Sequence, residues 1–273
     1  MRQISITDVT IRQAGKAAGY TLSFREKIEL AKLLARAGVS VIELPPIEHV
    51  KIDSLLIKSV ASAVTQSAVS VPVALSAEGV ESVWAALKEA KFPRLQVAAP
   101  VSAVQMEYLA GKKPAAMREA VAETVAACRK KCRNVEFMAD DATRADPAFL
   151  YDILRAAIAA GATSVTVCDT AGTMMPDEFS TFIGTIYENV PELAGVTLGV
   201  SCANTLAMAD ACAMAAIGQG VGEVKAAAYC VNTADLRHIA ALFAAKGAEA
   251  GISSALAQTQ LRRILEQAAW MCQ

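Results

Sequence analysis

Charge of one sign is missing from this chain. Lys+Arg is 26 and Asp+Glu is 27, a formal net charge of -1, so no field exists to recruit nucleic acid or an acidic membrane surface. No stretch approaches the ~18 uninterrupted apolar residues of a spanning helix. Met1 to Asp8 shows no signal-peptide pattern, and a cytoplasmic protein without a membrane partner is expected. No G-x-G-x-x-G or P-loop string is present, which argues against a phosphate-cradling open sheet. Histidine is scarce: His49 and His238 are the 2 in the chain, neither has a partner at ligand spacing, and both read as surface or capping residues. The 7 cysteines (Cys128, Cys132, Cys168, Cys202, Cys212, Cys230 and Cys272) are odd in number. With no export pattern, a disulfide framework is not expected, and buried free thiols are. Cys128 and Cys132 share a helix face, but no second Cys/His pair follows to complete a metal site.

What is present is apolar. Hydrophobic residues make up 54% and charged residues 19% of 273 residues, which excludes disorder. A chain of this size buries about three quarters of its extended surface on folding. Short apolar runs alternate with longer Ala-rich helical patterns. The strands are expected at Gln3–Asp8, Ser40–Leu44, Val71–Ser76, Leu95–Ala99, Val135–Ala139, Ser164–Cys168, Thr197–Cys202 and Glu223–Ala228. Strand–helix alternation implies right-handed crossovers and a parallel sheet, and the number of units matches a (β/α)8 TIM barrel. Ser23 with Glu26 three residues on forms a capping box, with Gly38 as the stop. Asp146-Pro147 and Pro176 open two further helices. Asn232 or Thr233 is expected to cap the helix running to about Gly247. Ser253 is expected to open an extra C-terminal helix, Ala255 to about Trp270, covering one end of the barrel or packing on a partner. No linker, charge run or low-complexity tract divides residues 1–273.

In such a barrel the site lies at the C-terminal ends of the strands. The polar residues there are Asp8, Thr10 and Arg12, then Glu43, then Asp140 and Asp141, then Asp169, Thr170 and Gly172. Ser201, Asn204 and Asn232 complete the set. One Arg with carboxylates, hydroxyls and amides at a common mouth suits a small carboxylate-bearing ligand, which a guanidinium grips in two-pronged fashion. The competing reading is strand-end ion pairs and loop caps: Arg12–Glu43 as a structural pair, Asp146 and Asn232 as caps.

These positions carry a family resemblance. DVTIRQAG (Asp8–Gly15) resembles the first-strand motif D-T-T-L-R-D-G-E of the 2-isopropylmalate, homocitrate and citramalate synthases, whose superfamily includes 3-hydroxy-3-methylglutaryl-CoA lyase. SFREKIELAKLLARAGVSVIELPP (Ser23–Pro46) is similar to their helix-one and strand-two segment. VEFMADDATRADPAFLYDILRAAIAAGATSVTVCDTAGTMMPDE (Val135–Glu178) resembles V-E-F-S-x-E-D-A-x-R-x-D followed by D-T-x-G. VSCANTLAMADA (Val200–Ala211) resembles V-H-x-H-N-D-L-G-x-A-x-A. The resemblance spans nearly the whole chain. It implies one HMG-CoA lyase-like (pyruvate carboxyltransferase-type) barrel and an acyl-CoA-dependent condensation, or the reverse cleavage, on a small 2-oxo acid. By the same resemblance Arg12 stabilises an enolate or keto oxygen, Glu43 is the strand-two site Glu, and Thr170 grips the oxo-acid carboxylate. Asp140 stands beside Glu43 and Asp141 as a candidate base, and Asn204 and Asp8 as substrate-binding candidates. The family's dimers and the apolar load here point to a homodimer, or a heteromer with a relative.

The departures fall on the metal. The family's ligands, the Asp after the motif Arg and the two His of strand seven, are here Gln13, Ser201 and Ala203. Asn232 falls where the family has a supplementary Asn, and Gln105 where it often has His. Neutral donors cannot offset the dehydration of a divalent ion as carboxylate and imidazole do, so no metal is expected and no cofactor is implied beyond acyl-CoA as co-substrate. The longer synthases carry further C-terminal domains, and the short tail here leads one to expect no feedback inhibition through one. Two readings stay open: an enzyme with Arg12 in place of the metal, and a non-catalytic carboxylate-binding barrel or partner subunit of an active relative.

Overall fold

The computed structural model describes residues 1–14, 21–228, 232–256 and 258–271. Cys230, Cys272 and Gly15, the last residue of the first-strand motif, lie outside them. Eight parallel strands form the barrel: β1 (Ser5–Asp8), β2 (Val41–Glu43), β3 (Ala68–Val73), β4 (Pro93–Pro100), β5 (Val135–Asp140), β6 (Ser164–Asp169), β7 (Thr197–Cys202) and β8 (Glu223–Ala227). Glu223 of β8 is in register with both Ser5 of β1 and Gly199 of β7, which closes the sheet on itself. The helices are α1 (Phe24–Arg36), α2 (Val50–Ala63), α3 (Ala77–Leu87), α4 (Ala103–Ala110), α5 (Pro114–Lys131), α6 (Pro147–Ala159), α7 (Pro176–Asn189), α8 (Ala209–Gly218), α9 (Leu236–Lys246) and α10 (Gln258–Met271). None of the described helices is long and apolar enough to cross a membrane.

The local signals act as their chemistry requires. Ser23 and Glu26 form the reciprocal capping box of α1, and Leu30, Ala31, Leu33 and Leu34 bury its inner stripe. Asp146 accepts the Phe149 N–H at the start of α6, with Pro147 in the first turn. Gly38 has φ +85, and a Cβ there would sit 2.0 Å from the Ala255 carbonyl oxygen, so only glycine serves both the helix stop and the approach of the C-terminal segment.

Beyond shifts of one or two residues at strand and helix ends, three differences from expectation have a local cause. The third strand runs Ala68–Val73, not Val71–Ser76, because the Ser76 hydroxyl accepts the Gly79 N–H and caps α3, which pulls the end of that apolar run out of the sheet. The cap of α9 is Asp235 rather than Asn232 or Thr233: its carboxylate accepts the Arg237 N–H, while Asn232 and Thr233 bond to the strand-seven loop at Asn204 and Cys202. Ser253 opens no helix; Ile252–Ser253 pairs in parallel with Arg2–Gln3, and α10 starts at Gln258. That last helix packs on α1 and α9 through buried Leu261, Ile264, Leu265 and Ala268. It therefore joins the outer layer and does not close an end of the barrel.

The outer faces of the strands, with residues such as Val69, Val71, Val97, Phe137, Val165 and Val200, pack under the helices in the main core. The inner faces are not the branched aliphatic filling usual in this fold. Lys225 of β8 reaches across to Glu43 of β2 at 2.6 Å and Glu136 of β5 at 2.8 Å. Arg94 of β4 meets Glu223 of β8 at 2.7 Å, and Thr7 of β1 donates to the same Glu223 at 2.6 Å. Gln96 donates from Nε2 to both Glu43 and Glu136, and Thr166 donates to Glu136. All of these residues are buried, so the barrel axis is a chain of ion pairs and charged hydrogen bonds.

Asp8 ends β1 fully buried. Its two oxygens accept the Thr10 N–H and hydroxyl, both at 2.9 Å, and the Thr10 oxygen accepts the Ala228 N–H at 2.7 Å, tying β1 to the end of β8. Burial raises the Asp8 pKa from 3.8 to about 7 against the hydrogen bonds that lower it. The folded state thus keeps a proton that the unfolded chain releases near 3.8. This group's contribution to stability is full below that value and is lost as the pH rises through about 7. Urea unfolding is expected to show stability falling across this window, with a flatter profile for Asp8→Asn; superimposable profiles would count against a protonated Asp8.

Candidate active site

A cavity of about 500 Å³ opens at the C-terminal ends of the strands. Its walls include Arg12, Gln13, Gln105, Met138, Asp140, Cys168, Thr170, Ser201, Ala203, Lys225 and Asn232. A second cleft, of about 510 Å³, lies between α9 and α10 with mainly alanine and leucine walls. Only the first gathers charged groups from several strands, as sites in this fold do.

Arg12 reaches the cavity by a route that alternation does not describe. Thr10–Gln13 is a single helical turn, so Thr10 turns back to Asp8 while Arg12 projects over the barrel end. Its Nη1 donates to Glu43 Oε2 at 3.0 Å and to the Met138 sulfur at 3.6 Å. Its Nε–H is buried with no partner, a costly state for a donor and one that an incoming acceptor relieves. Glu43 lies below the cavity, fully buried between Arg12, Lys225 and Gln96. Burial pushes its pKa up, but Lys225 and Arg12 outweigh this and hold it down at about 2. Its two oxygens thereby link both cations.

The three carboxylates considered as bases have distinct surroundings. Asp141 has φ +62. Its carboxylate takes Arg144 Nε and Nη2 at 2.7 and 2.8 Å and also the Ser102 hydroxyl. Glu43 is held ionised by its cations. Asp140 lines the cavity, and burial raises its pKa to about 6, with Arg12 and a Cys168 hydrogen bond acting the other way. Burial thus moves its proton exchange toward neutrality.

Thr170 also lines the cavity; its oxygen accepts the Asp141 N–H at 2.9 Å. Asp169 shapes the loop beneath, accepting N–H groups from Gly172 and Met174 and the Thr143 hydroxyl. Gly172 has φ +64, and a Cβ there would sit 2.5 Å from the Ala203 carbonyl oxygen. Asn204 and Asp8 stand apart from the cavity walls. Asn204 accepts the Ala209 N–H at the start of α8 and donates its own backbone N–H to Asn232, while Asp8 is engaged with Thr10. Both hold backbone in place. His238 pairs with Asp210 at 2.6 Å on the surface, and His49 is exposed at the start of α2. All 5 described cysteines are free and buried. Burial holds the Cys168 thiol well above its usual range.

The residue that sequence reasoning missed is Lys225, along with the Arg94, Gln96, Glu136 and Glu223 network below it. A signal was present: charged or amide residues at every second position of otherwise apolar strands, as in Arg94-Leu-Gln96 and Glu223-Val-Lys225. That spacing aims both at one sheet face.

Gln13, Ser201, Ala203 and Asn232 all border the cavity. Ala203 has no donor side chain, and the Asn232 oxygen already accepts the Asn204 N–H. Among the described residues no group of three or more His, Cys, Asp or Glu is placed to hold a metal ion.

A closed parallel barrel with an arginine, a buried carboxyl and a hydroxyl gathered at the strand ends is a TIM barrel with a polar mouth. The HMGL-like family model matches residues 3–265, and the chain belongs to that family. It is 34% identical over 225 residues to 2-isopropylmalate synthase of Halalkalibacterium halodurans, covering 82% of this chain and 44% of that one. Against 2-isopropylmalate synthase of Pyrococcus furiosus it is also 34% identical, covering 82% and 45%. The chain thus spans less than half the length of these relatives. Among solved structures, the HMG-CoA lyase of Brucella melitensis superposes with a TM-score of 0.77 at 16% identity, over 98% of this chain and 99% of that one. The carboxyl transferase domain of Rhizobium etli pyruvate carboxylase with pyruvate gives 0.75 at 14% identity, over 100% and 48%.

Proposed function

We propose that this chain makes or breaks a carbon–carbon bond on a small 2-oxo acid, with an acyl-CoA as co-substrate and without a divalent metal. The observation that carries this reading is one cavity holding both an unpartnered buried guanidinium N–H and a carboxyl group that titrates near neutrality. The similar 2-isopropylmalate synthases, and the neighbour crystallised with pyruvate, support the substrate class. In the condensing direction the Asp140 carboxylate takes a proton from the carbon next to the thioester. The resulting carbanion adds to the keto carbon, and the keto oxygen becomes an alkoxide beside Arg12, where a fixed donor in a dry site counts most. Protonation of the alkoxide and hydrolysis of the thioester by water then release the hydroxy acid and free coenzyme A. Thr170 offers a hydroxyl for the substrate carboxylate.

The test is thiol release from acetyl-CoA with a panel of 2-oxo acids, followed across pH. A rise in rate through about pH 6, where the Asp140 base form appears, is expected, and Asp140→Asn should remove most of the rate. No thiol release with any 2-oxo acid, in protein that still binds one, would leave the second reading: a carboxylate-binding barrel or the partner of an active relative. The neutral residues Gln13, Ser201 and Ala203 favour that reading.

Metal content is expected to be substoichiometric in elemental analysis of the purified protein, and EDTA is expected to leave 2-oxo acid binding unchanged. One ion per chain, whose removal abolishes binding, would contradict the metal-free proposal.

A further inference from the structure

We propose that Lys225 is a second cationic ligand-binding residue of this site, donating with Arg12 to the oxygen-rich end of the 2-oxo acid. This rests on the reading of the cavity as an oxo-acid site. Lys225 is 1% exposed, yet it forms part of the cavity wall. Its ammonium carries three donors. One meets Glu43 at 2.6 Å and one Glu136 at 2.8 Å, which leaves a third for the cavity side. Glu43 receives Lys225 on one oxygen and Arg12 on the other, so a single carboxylate fixes two cations at the same opening. The Arg12 Nε–H is also unpartnered.

The cavity thus presents two fixed N–H donors on positive groups, suited to the carboxylate and keto oxygens of one small anion. These are the charges that Gln13, Ser201 and Ala203 do not gather through a metal. Burial acts to lower the Lys225 pKa, but Glu136, Glu43 and Glu223 outweigh it and raise it. The group is therefore an ammonium donor and not an amine nucleophile.

The test is calorimetric titration with pyruvate and with oxalate, a planar unreactive analogue, beside a melting curve for each protein. The variants are Lys225→Met and the double variant Lys225→Met/Glu136→Gln, which removes a cation and an anion together so that no carboxylate is stranded. The folded double variant is expected to bind oxalate about 30-fold more weakly than wild type, the scale of one charged hydrogen bond. Wild-type affinity in that variant would overturn the role of Lys225 and leave the oxo-acid reading standing. Failure of the wild type to bind either anion would overturn both. Borohydride added to wild type with pyruvate is expected to leave the protein mass unchanged. A reduced adduct on Lys225 would show a Schiff-base amine and overturn the ionic role without recourse to any variant.

Discussion

Arg12→Ala is expected to lower turnover of a 2-oxo acid by at least about 10²-fold, the scale of losing one preorganised oxyanion donor, while moving the melting temperature little. The second half follows from the network. Removing Arg12 does not strand Glu43, which keeps Lys225 at 2.6 Å and the Gln96 amide. Arg12→Lys keeps the charge but loses the planar fork, and is expected to weaken binding by roughly 1.5–3 kcal/mol. If Arg12 is only a structural partner of Glu43, the pattern inverts: affinity stays and the melting temperature falls. Measuring both quantities on both variants decides. Unchanged affinity with a lowered melting temperature would end the catalytic reading of Arg12.

Glu223→Ala is expected to have the largest effect on folding. Glu223 accepts Arg94 Nη1 at 2.7 Å and the Thr7 hydroxyl at 2.6 Å deep in the barrel. Without it, the buried Arg94 keeps only Asn134 at 3.1 Å and a long approach to Glu136 at 3.9 Å. Leaving one partner of a buried pair unmatched costs about 3–5 kcal/mol. For a chain of this size that corresponds to a fall in melting temperature on the order of 10 °C. Removing both charges as Arg94→Met/Glu223→Met is expected to recover most of the loss, since a well-packed apolar pair avoids the desolvation of two ions. Glu223 is no part of the cavity wall, so ligand affinity at the folded temperature should be unchanged in either variant. A loss of affinity without a loss of stability would show that the axial network instead tunes the mouth.

Both expectations draw on contacts of very different range. The order of strands and helices, the capping box at Ser23 and the Asp146-Pro147 opening were all legible in the chain. Each depends on a period of two or 3.6 residues, or on side-chain bonds within three positions. The errors arose where the same short signals compete. Ser76 as a helix cap shortened the third strand, and the pairing of Ile252–Ser253 with Arg2–Gln3 displaced the start of the last helix.

Within the site, the strand-end motif brought Asp140 and Asp141 forward as equals. One step along the chain separates a residue facing the cavity from one turned into a left-handed bend and clamped by Arg144. Local sequence thus determined the order of the elements and which residues lie near the strand ends. Which charges meet along its axis was decided by tertiary structure alone: Lys225 finds Glu43 182 positions away, and Arg94 finds Glu223 129 positions away. Those partners are set by how far each strand is staggered against its neighbours as the sheet closes. That stagger sums over the whole ring and leaves no trace in any one segment.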